Sequence, residues 1–169
     1  MVVVVGHAHQ DLLEGVFYAQ GSWDSAQAVC QANGATVTGY QDANERMAVA
    51  NAARVLNMQH GNPQFSEVWV GAKRNPQCTT ASACAPNDAF SWSDGHTTGK
   101  LGFAWGAGEP NTWIPANECV NGVCNQGCIV IHITNTDAVR ARYGFSHGEM
   151  DDSKCWYTEW TMFACGKKP

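Results

Sequence analysis

Gly108-Glu109-Pro110-Asn111-Thr112-Trp113 lies in the stretch that decides the fold of this chain, an irregular segment of residues 95–126. The segment has no long periodic pattern, but it holds many of the glycines together with two tryptophans and two cysteines. Compact domains seldom contain so long an irregular segment unless it is functional or disordered. Because tryptophan and cysteine are typical of ordered structure, we interpret it as an ordered loop. On its own, Glu109-Pro110-Asn111 is more typical of an ordinary surface turn.

Two helices are predicted before this segment. Ser22 is a candidate N-cap, and the apolar residues that follow it recur at helical spacing, which predicts a helix over residues 23–33. Asp42 and Glu45 have the spacing of a capping box, which predicts a second helix that ends at about Asn57.

Short β-type runs lie on both sides of the irregular segment. Val68-Trp69-Val70-Gly71 and Phe90-Ser91-Trp92 precede it. Residues 128–133 form an apolar run typical of a buried strand, and residues 160–165 predict a closing strand. The irregular segment is therefore expected to connect elements of one structured domain.

Length and charge limit the possible functions. A chain of 169 residues with 44% apolar content fits one domain, which we place at residues 15–169 after an N-terminal segment of residues 1–14. Ten basic and fifteen acidic side chains without a basic run disfavour nucleic acid and anionic membrane as partners. Residues 1–6 match neither a signal peptide nor a membrane span, so a secretory signal is expected to lie outside this sequence.

Eight cysteines in so short a chain favour a disulfide framework and a secreted, extracellular protein. Zinc binding by these cysteines is disfavoured because no pair has the Cys-x2-Cys spacing of a zinc ribbon or finger. Catalysis is disfavoured as well, since the histidines are scattered and no His-Glu-x-x-His or Gly-x-Ser-x-Gly motif occurs. We therefore expect a binding protein and not an enzyme.

The order of these elements resembles the C-type lectin-like domain over nearly the whole chain. The resemblance rests on the cysteine in the first helix, the second helix, the two β-type runs, the tryptophan before Glu-Pro-Asn and the last three cysteines: Cys30, Trp69, Trp92, Trp105, Cys128, Cys155 and Cys165. Trp69-Val70-Gly71-Ala72-Lys73-Arg74, with a cysteine nearby, looks most like the nematode branch. The resemblance implies an α+β fold, with two helices flanking two small antiparallel sheets and a long calcium-binding loop.

The resemblance also implies two disulfides, Cys30–Cys165 between the first helix and the last strand and Cys128–Cys155 at the base of the long loop. We expect the other four cysteines to pair locally as Cys78–Cys84 and Cys119–Cys124. Between Cys119 and Cys124, an Asn-Gly turn favours a tight hairpin. Loop-closure entropy gives the longest bridge a stabilisation of roughly 5 kcal/mol and each short bridge nearer to about 2 kcal/mol.

By the same resemblance, calcium is the expected cofactor. Its ligands would be Glu109, Asn111, Glu118, Asp151 and Asp152, which supply the carboxylate and amide oxygens that this cation prefers. Gln126 is the alternative to Glu118, because the insertion between Cys119 and Cys124 makes the alignment ambiguous. A cis Glu109–Pro110 bond is expected as well. Since some family members take an acid right after the triplet for a second site, and Thr112 stands there, we expect one calcium site or at most a weakened second one.

The implied ligands are sugars with equatorial vicinal hydroxyls, such as mannose, N-acetylglucosamine, glucose and fucose, whereas galactose is disfavoured. Glu109, Asn111, Glu118 and Asp151 would contact the sugar. Asp151 stands where the family has an amide, so one sugar hydroxyl would lose a hydrogen-bond donor. Trp113 either stacks on the sugar ring or is a partly buried packing residue.

The expected partners are glycans on cell surfaces or glycoproteins, with no nucleic acid and no membrane insertion. Single sites of this type are weak, near millimolar, so oligomerisation would supply avidity. The alternative function is a module of the same fold that binds protein, lipid or ice, or serves structurally, without calcium-dependent sugar recognition. Met150, where the family has tryptophan, is expected to change packing under the loop more than its chemistry.

Overall fold

The computed structural model describes residues 2–6 and 13–167. Strand β1, Val2–Gly6, pairs antiparallel with strand β2, Leu13–Tyr18. Residues 7–12, within the expected N-terminal segment of residues 1–14, lie outside the described part of the chain. The domain boundary between residues 14 and 15 stays a prediction.

Helix α1, Trp23–Ala32, begins where the sequence predicts it. The Ser22 hydroxyl accepts a hydrogen bond from the Ser25 amide at 3.2 Å, which satisfies one free N–H of the first turn. Trp23, Ala26 and Cys30 are buried, and their spacing of three and four residues places them on one helix face. This face packs against the sheet.

Helix α2, Ala43–Gln59, extends two residues beyond the predicted end. The Asp42 carboxylate caps the helix by accepting hydrogen bonds from the amides of Asn44 and Glu45. The predicted reciprocal bond is shifted by one residue, because Glu45 accepts from the Gln41 amide at 2.6 Å. The buried face of this helix packs into the main core.

The other strands are β3 (Thr36–Val37), β4 (Phe65–Arg74), β5 (Phe90–Trp92), β6 (Cys128–Thr134), β7 (Met150–Ser153) and β8 (Met162–Lys167). The order is β1-β2-β8-β4-β6-β7, with β3 paired to β8 and β5 paired to β4. Two small antiparallel sheets were expected from the resemblance. In the structure they join into one, because Val68 and Trp69 of β4 pair in parallel with Met162 and Phe163 of β8.

Apolar side chains on both faces of the sheet form the core. All seven residues of β6 are buried, and alternate residues enter different clusters. Ile129 and Ile131 pack with the α2 face, whereas Cys128 and Val130 pack with the α1 face and Trp69. Met150 is fully buried in the first cluster, under the irregular segment.

Four disulfides hold the chain together, and they join the pairs that the sequence analysis expected. Cys30–Cys165 links α1 to β8, and Cys128–Cys155 links β6 to the residues after β7. Cys78–Cys84 and Cys119–Cys124 close short loops. Asn121 and Gly122 both have positive φ, as the tight turn between Cys119 and Cys124 requires.

The irregular segment of residues 95–126 packs against the edge of the sheet beside β7. Trp105 forms an isolated bridge with Met150, and the Gly106 amide donates a hydrogen bond to the Met150 carbonyl at 2.9 Å. The helical structure of this irregular segment is limited to one 3-10 turn, Ala116–Glu118. In the described residues, neither helix is both long enough and apolar enough to cross a membrane.

Candidate functional site

Asp151 and Asp152 are successive residues of β7. Asp151 pairs with Val130 and Asp152 pairs with Ile129 on the neighbouring strand β6. Asp152 is fully buried, whereas Asp151 is partly exposed at the mouth of a cavity. This strand supplies one side of the candidate site, which we call the strand wall, Met150–Ser153.

The opposite side, which we call the loop wall, consists of residues 109–113. Its Glu109–Pro110 peptide bond is cis, as expected, and Gly108 supplies the positive φ of 89° that the entry turn requires. The Asn111 backbone amide and side-chain amide each donate a hydrogen bond to the Glu109 carboxylate at 2.9 Å. The Trp113 amide donates to the Asn111 side-chain oxygen at 2.7 Å, so the polar groups of the loop orient one another.

Asp152 joins the two walls. Its two carboxylate oxygens accept hydrogen bonds at 3.0 Å from the amides of Asn111 and Thr112. As a result Glu109, Asp151 and Asp152 converge, and each offers an oxygen within 4.8 Å of those of the other two. These residues were singled out by the sequence, and the structure brings all three together.

Arg74, at the end of β4, is a site residue that the sequence analysis missed. Its guanidinium forms an ion pair with Asp152 in which both side chains are buried. It also donates to the Gln126 carbonyl at 2.7 Å and lies 4.5 Å from the centre of the Phe90 ring. Arg74 follows the motif Trp69-Val70-Gly71 within strand β4. It precedes the loop wall by about forty residues in the sequence, and no spacing rule connects it to Asp152.

Two of the three carboxyl groups, those of Glu109 and Asp152, have raised pKa values. Burial raises the pKa of Asp152 to about 6, although the Arg74 charge opposes this shift. Burial, followed by repulsion from Asp151 and Asp152, raises the pKa of Glu109 to about 8. Both shifts have the sign expected for a cluster of acids that lacks enough positive charge.

His132 extends the polar site beneath Asp151. It lies on β6 directly opposite Glu67 of β4, with its ring nitrogens 3.6 Å from Glu67 Oε1 and 3.7 Å from Asp151 Oδ2. Phe145 stacks on the ring at a centroid distance of 4.1 Å. Burial alone disfavours the protonated ring, but the two flanking carboxylates outweigh it and raise the pKa of His132. No motif in the sequence indicates a role for this histidine in the site.

Glu118 and Gln126, the two alternatives for one ligand position, have different surroundings. Glu118 forms an ion pair with Lys154 and does not belong to the three-carboxylate cluster found among residues 2–6 and 13–167. Gln126 has a buried side-chain oxygen without a hydrogen-bond partner in the described part of the chain. Both residues line the same cavity as Glu109.

The cavity has a volume of about 890 Å³ and contains both walls of the site. Besides the acidic groups it is lined by aromatic side chains, among them Trp113, Tyr143, Tyr157 and Trp160. Trp113 is 68% exposed, which disfavours its alternative role as a packing residue. The arrangement therefore combines a convergent acidic cluster with exposed ring faces.

Comparison with known proteins supports the fold assignment. A search of curated proteins finds no match for this chain. Human lithostathine shares the fold with a TM-score of 0.58 and 20% identity, covering 98% of this chain and 89% of lithostathine. Herring type II antifreeze protein has a TM-score of 0.57 at 17% identity, with coverage of 94% and 91%.

A third similar structure is the cow C-type carbohydrate-recognition domain of CD23, solved in the presence of a GlcNAc2Man3 oligosaccharide. Its TM-score is 0.56 at 14% identity, and the match covers 95% of this chain and 90% of that one. The model of a family described as C-type lectin domain-containing protein 141/158 matches residues 18–167. This chain therefore belongs to that family of C-type lectin domains.

Proposed function

We propose that this protein binds carbohydrate with the help of a calcium ion held between the loop wall and the strand wall. The observation that carries the proposal is the convergence of Glu109, Asp151 and Asp152. Burial, followed by repulsion from Asp151 and Asp152, raises the pKa of Glu109 to about 8, which indicates a site short of positive charge. Calcium prefers several hard oxygen ligands of this kind, so the residues fit the ion.

Asn111 and Gln126 are the uncharged ligands that we propose. The Asn111 side chain is held in the loop wall by its hydrogen bonds to Glu109 and Trp113. The Gln126 side-chain oxygen is buried without a partner among residues 2–6 and 13–167, and such a group is costly unless something binds it. Glu118 is already neutralised by Lys154, so Gln126 is the better candidate for the fifth ligand.

The sugar specificity that we propose is the mannose type, because Glu109 and Asn111 offer an acceptor and a donor side by side. Bound calcium would polarise the sugar hydroxyls. The chain's own contribution is to orient a carboxylate and an amide toward adjacent hydroxyls. Asp151 supplies a second acceptor in place of an amide, and Trp113 supplies an exposed ring face. The biological ligands would be extracellular glycans, recognised by a secreted protein.

A second candidate function is calcium-independent binding, and the Arg74–Asp152 ion pair favours it. Both Asp152 oxygens are already engaged, since they accept from Arg74, Asn111 and Thr112. The loop wall is therefore fixed to the strand wall by protein groups alone. One similar structure is that of a calcium-independent type II antifreeze protein, so this fold is compatible with a function that does not need calcium.

A glycan array with and without a chelator, combined with thermal unfolding over a calcium titration, tests the proposal. We expect binding to mannose-type glycans that the chelator abolishes, and stabilisation at millimolar calcium. Glu109→Ala should abolish both effects without unfolding the protein. Asp137→Asn is the matched control, because it removes an exposed carboxylate that does not line the cavity. Glycan binding that persists in the chelator would support the second candidate instead.

A further inference from the structure

The connection between β6 and β7 forms a wall of the cavity that the proposed calcium site does not use. Residues 135–149 include one 3-10 turn, Arg142–Gly144. Arg142 and Tyr143 both line the cavity that contains Glu109 and Asp151. Cavities of roughly 300–1,000 Å³ hold ligands of drug size, so a volume of about 890 Å³ exceeds the needs of one pyranose ring.

This wall is held in place on both sides of Tyr143. Ala141 and Phe145 are buried, and the Ala141 amide donates a hydrogen bond to the Phe145 carbonyl at 2.8 Å. Phe145 stacks on His132 and also packs against Gly106, where a Cβ atom would lie only 2.1 Å from the Phe145 ring. The turn is therefore fixed relative to the sheet and to the irregular segment.

Tyr143 itself has an unusual conformation and little burial. Its φ is +62°, a left-handed value that is uncommon for a bulky residue, and its side chain is 80% exposed. Burial does not explain why a large ring is held there. The Arg142 guanidinium lies 4.9 Å from the ring centre and lends its donors to the same surface. Strained, exposed residues on a fixed turn are typical of ligand sites.

We infer that the cavity binds an oligosaccharide, with one sugar at the proposed calcium site and a further ring against Tyr143 and Arg142. This inference rests on the proposed function and adds the size class of its ligand. An aromatic face suits the apolar face of a pyranose ring, and the five guanidinium N–H groups suit its hydroxyls. Trp113, on the loop wall, offers a second exposed ring in the same cavity.

The test compares methyl α-mannoside with a linear mannotriose by calorimetry, in saturating calcium. Wild-type protein should bind the trisaccharide about three- to tenfold more tightly, the range for one stacked aromatic ring. Tyr143→Asn should remove this gain and leave the affinity for methyl α-mannoside unchanged, because asparagine tolerates positive φ. Leu101→Asn is the matched control, since Leu101 is 79% exposed and does not line the cavity.

Equal affinities for the two sugars in the wild type would overturn the inference while leaving the proposed function intact. The same holds if Tyr143→Asn keeps the full preference for the trisaccharide. Failure of both sugars to bind would remove the proposed function, and the inference with it. The calcium titration of Tyr143→Asn by thermal unfolding should match the wild type, which separates loss of the ring from loss of the fold.

Discussion

The loop wall and the strand wall supply ligand atoms to the same site, but they are stabilised in different ways. In the loop wall of residues 109–113, Asn111 and Trp113 are exposed and only Pro110 is buried, and the side-chain contacts are mostly local. The strand wall contains the fully buried Asp152, whose partners come from distant parts of the chain. The loop therefore carries the recognisable motif, whereas the strand determines where that motif lies.

Replacing Arg74 should have the largest effect on stability, because it removes the cation that pairs with Asp152 of the strand wall. Arg74→Met leaves the buried Asp152 carboxylate without its cation, a change that typically costs about 3–5 kcal/mol. Denaturation by urea with a chelator present measures this loss. Lys100→Gln is the control, because its ion pair with Asp88 is exposed and worth about 0–1 kcal/mol.

The double variant Arg74→Met/Asp152→Asn sharpens this prediction. Removing the orphaned charge should recover part of the lost stability, which a simple packing defect at Arg74 would not allow. Equal stability of the single and double variants would show that the ion pair does not hold the strand wall.

The stability of the calcium-free protein should depend on pH through both walls. Glu109 and Asp152 have raised pKa values, of about 8 and about 6, so the folded state binds more protons than the unfolded state from about pH 4 to pH 8. These two groups therefore lower the free energy of unfolding as the pH rises through this range, and together they outweigh the opposing effect of His147, whose pKa burial lowers to about 4. The raised pKa of His132 acts in the same direction. Thermal unfolding in a chelator from pH 5 to pH 8 measures the decline.

Calcium should oppose this decline, because it binds the deprotonated carboxylates. At a hundredfold excess over its Kd, calcium would stabilise the protein by about 2.7 kcal/mol. Glu109→Gln should flatten the pH dependence in the chelator and weaken the response to calcium. A melting temperature that stays constant from pH 5 to pH 8 in the chelator would contradict the charge crowding that defines the site.

Replacing His132, which faces Asp151 of the strand wall, should have a smaller effect on stability. His132→Leu leaves the buried Glu67 carboxylate and the partly exposed Asp151 carboxylate facing an apolar side chain, at a cost of about 2 kcal/mol, most of it for the unsatisfied Glu67. His132→Gln retains an amide donor between these acids and should lose less than half as much. Urea denaturation of both variants checks this, and equal losses would indicate that His132 contributes packing alone.

The same contrast explains how much the sequence could predict. Helices α1 and α2 were located by their caps and apolar spacing, since these signals are local. The loop residues Glu109 and Asn111 were located by resemblance, because their motif is contiguous. Strand β7 was not predicted, since Met150-Asp151-Asp152-Ser153 lacks the composition of a strand and owes its strand pairing to β6, a partner distant in sequence.

Arg74 and His132 were missed for a related reason. Arg74 reaches Asp152 across 78 residues, and His132 faces Glu67 through strand pairing. His132 is buried, and its position between two carboxylates depends on the register of β4 with β6. Such contacts are properties of the sheet, and no single stretch of sequence contains them.

The smallest expected effect concerns Glu118 and Gln126, the two alternatives for one ligand position that the sequence left ambiguous. Glu118→Gln should change the calcium affinity less than about twofold, because Glu118 pairs with Lys154 outside the carboxylate cluster and exposed pairs contribute little. Gln126→Ala removes a buried oxygen that has no partner among the residues the structure describes, and it should weaken calcium binding by roughly tenfold, as expected when a hard-oxygen ligand is lost. Calcium titrations followed by thermal unfolding compare the two variants directly. A larger loss of calcium affinity for Glu118→Gln would mean that Lys154 releases Glu118 when the ion binds. The segment that contains Glu118 would then rearrange while the strand wall stays fixed.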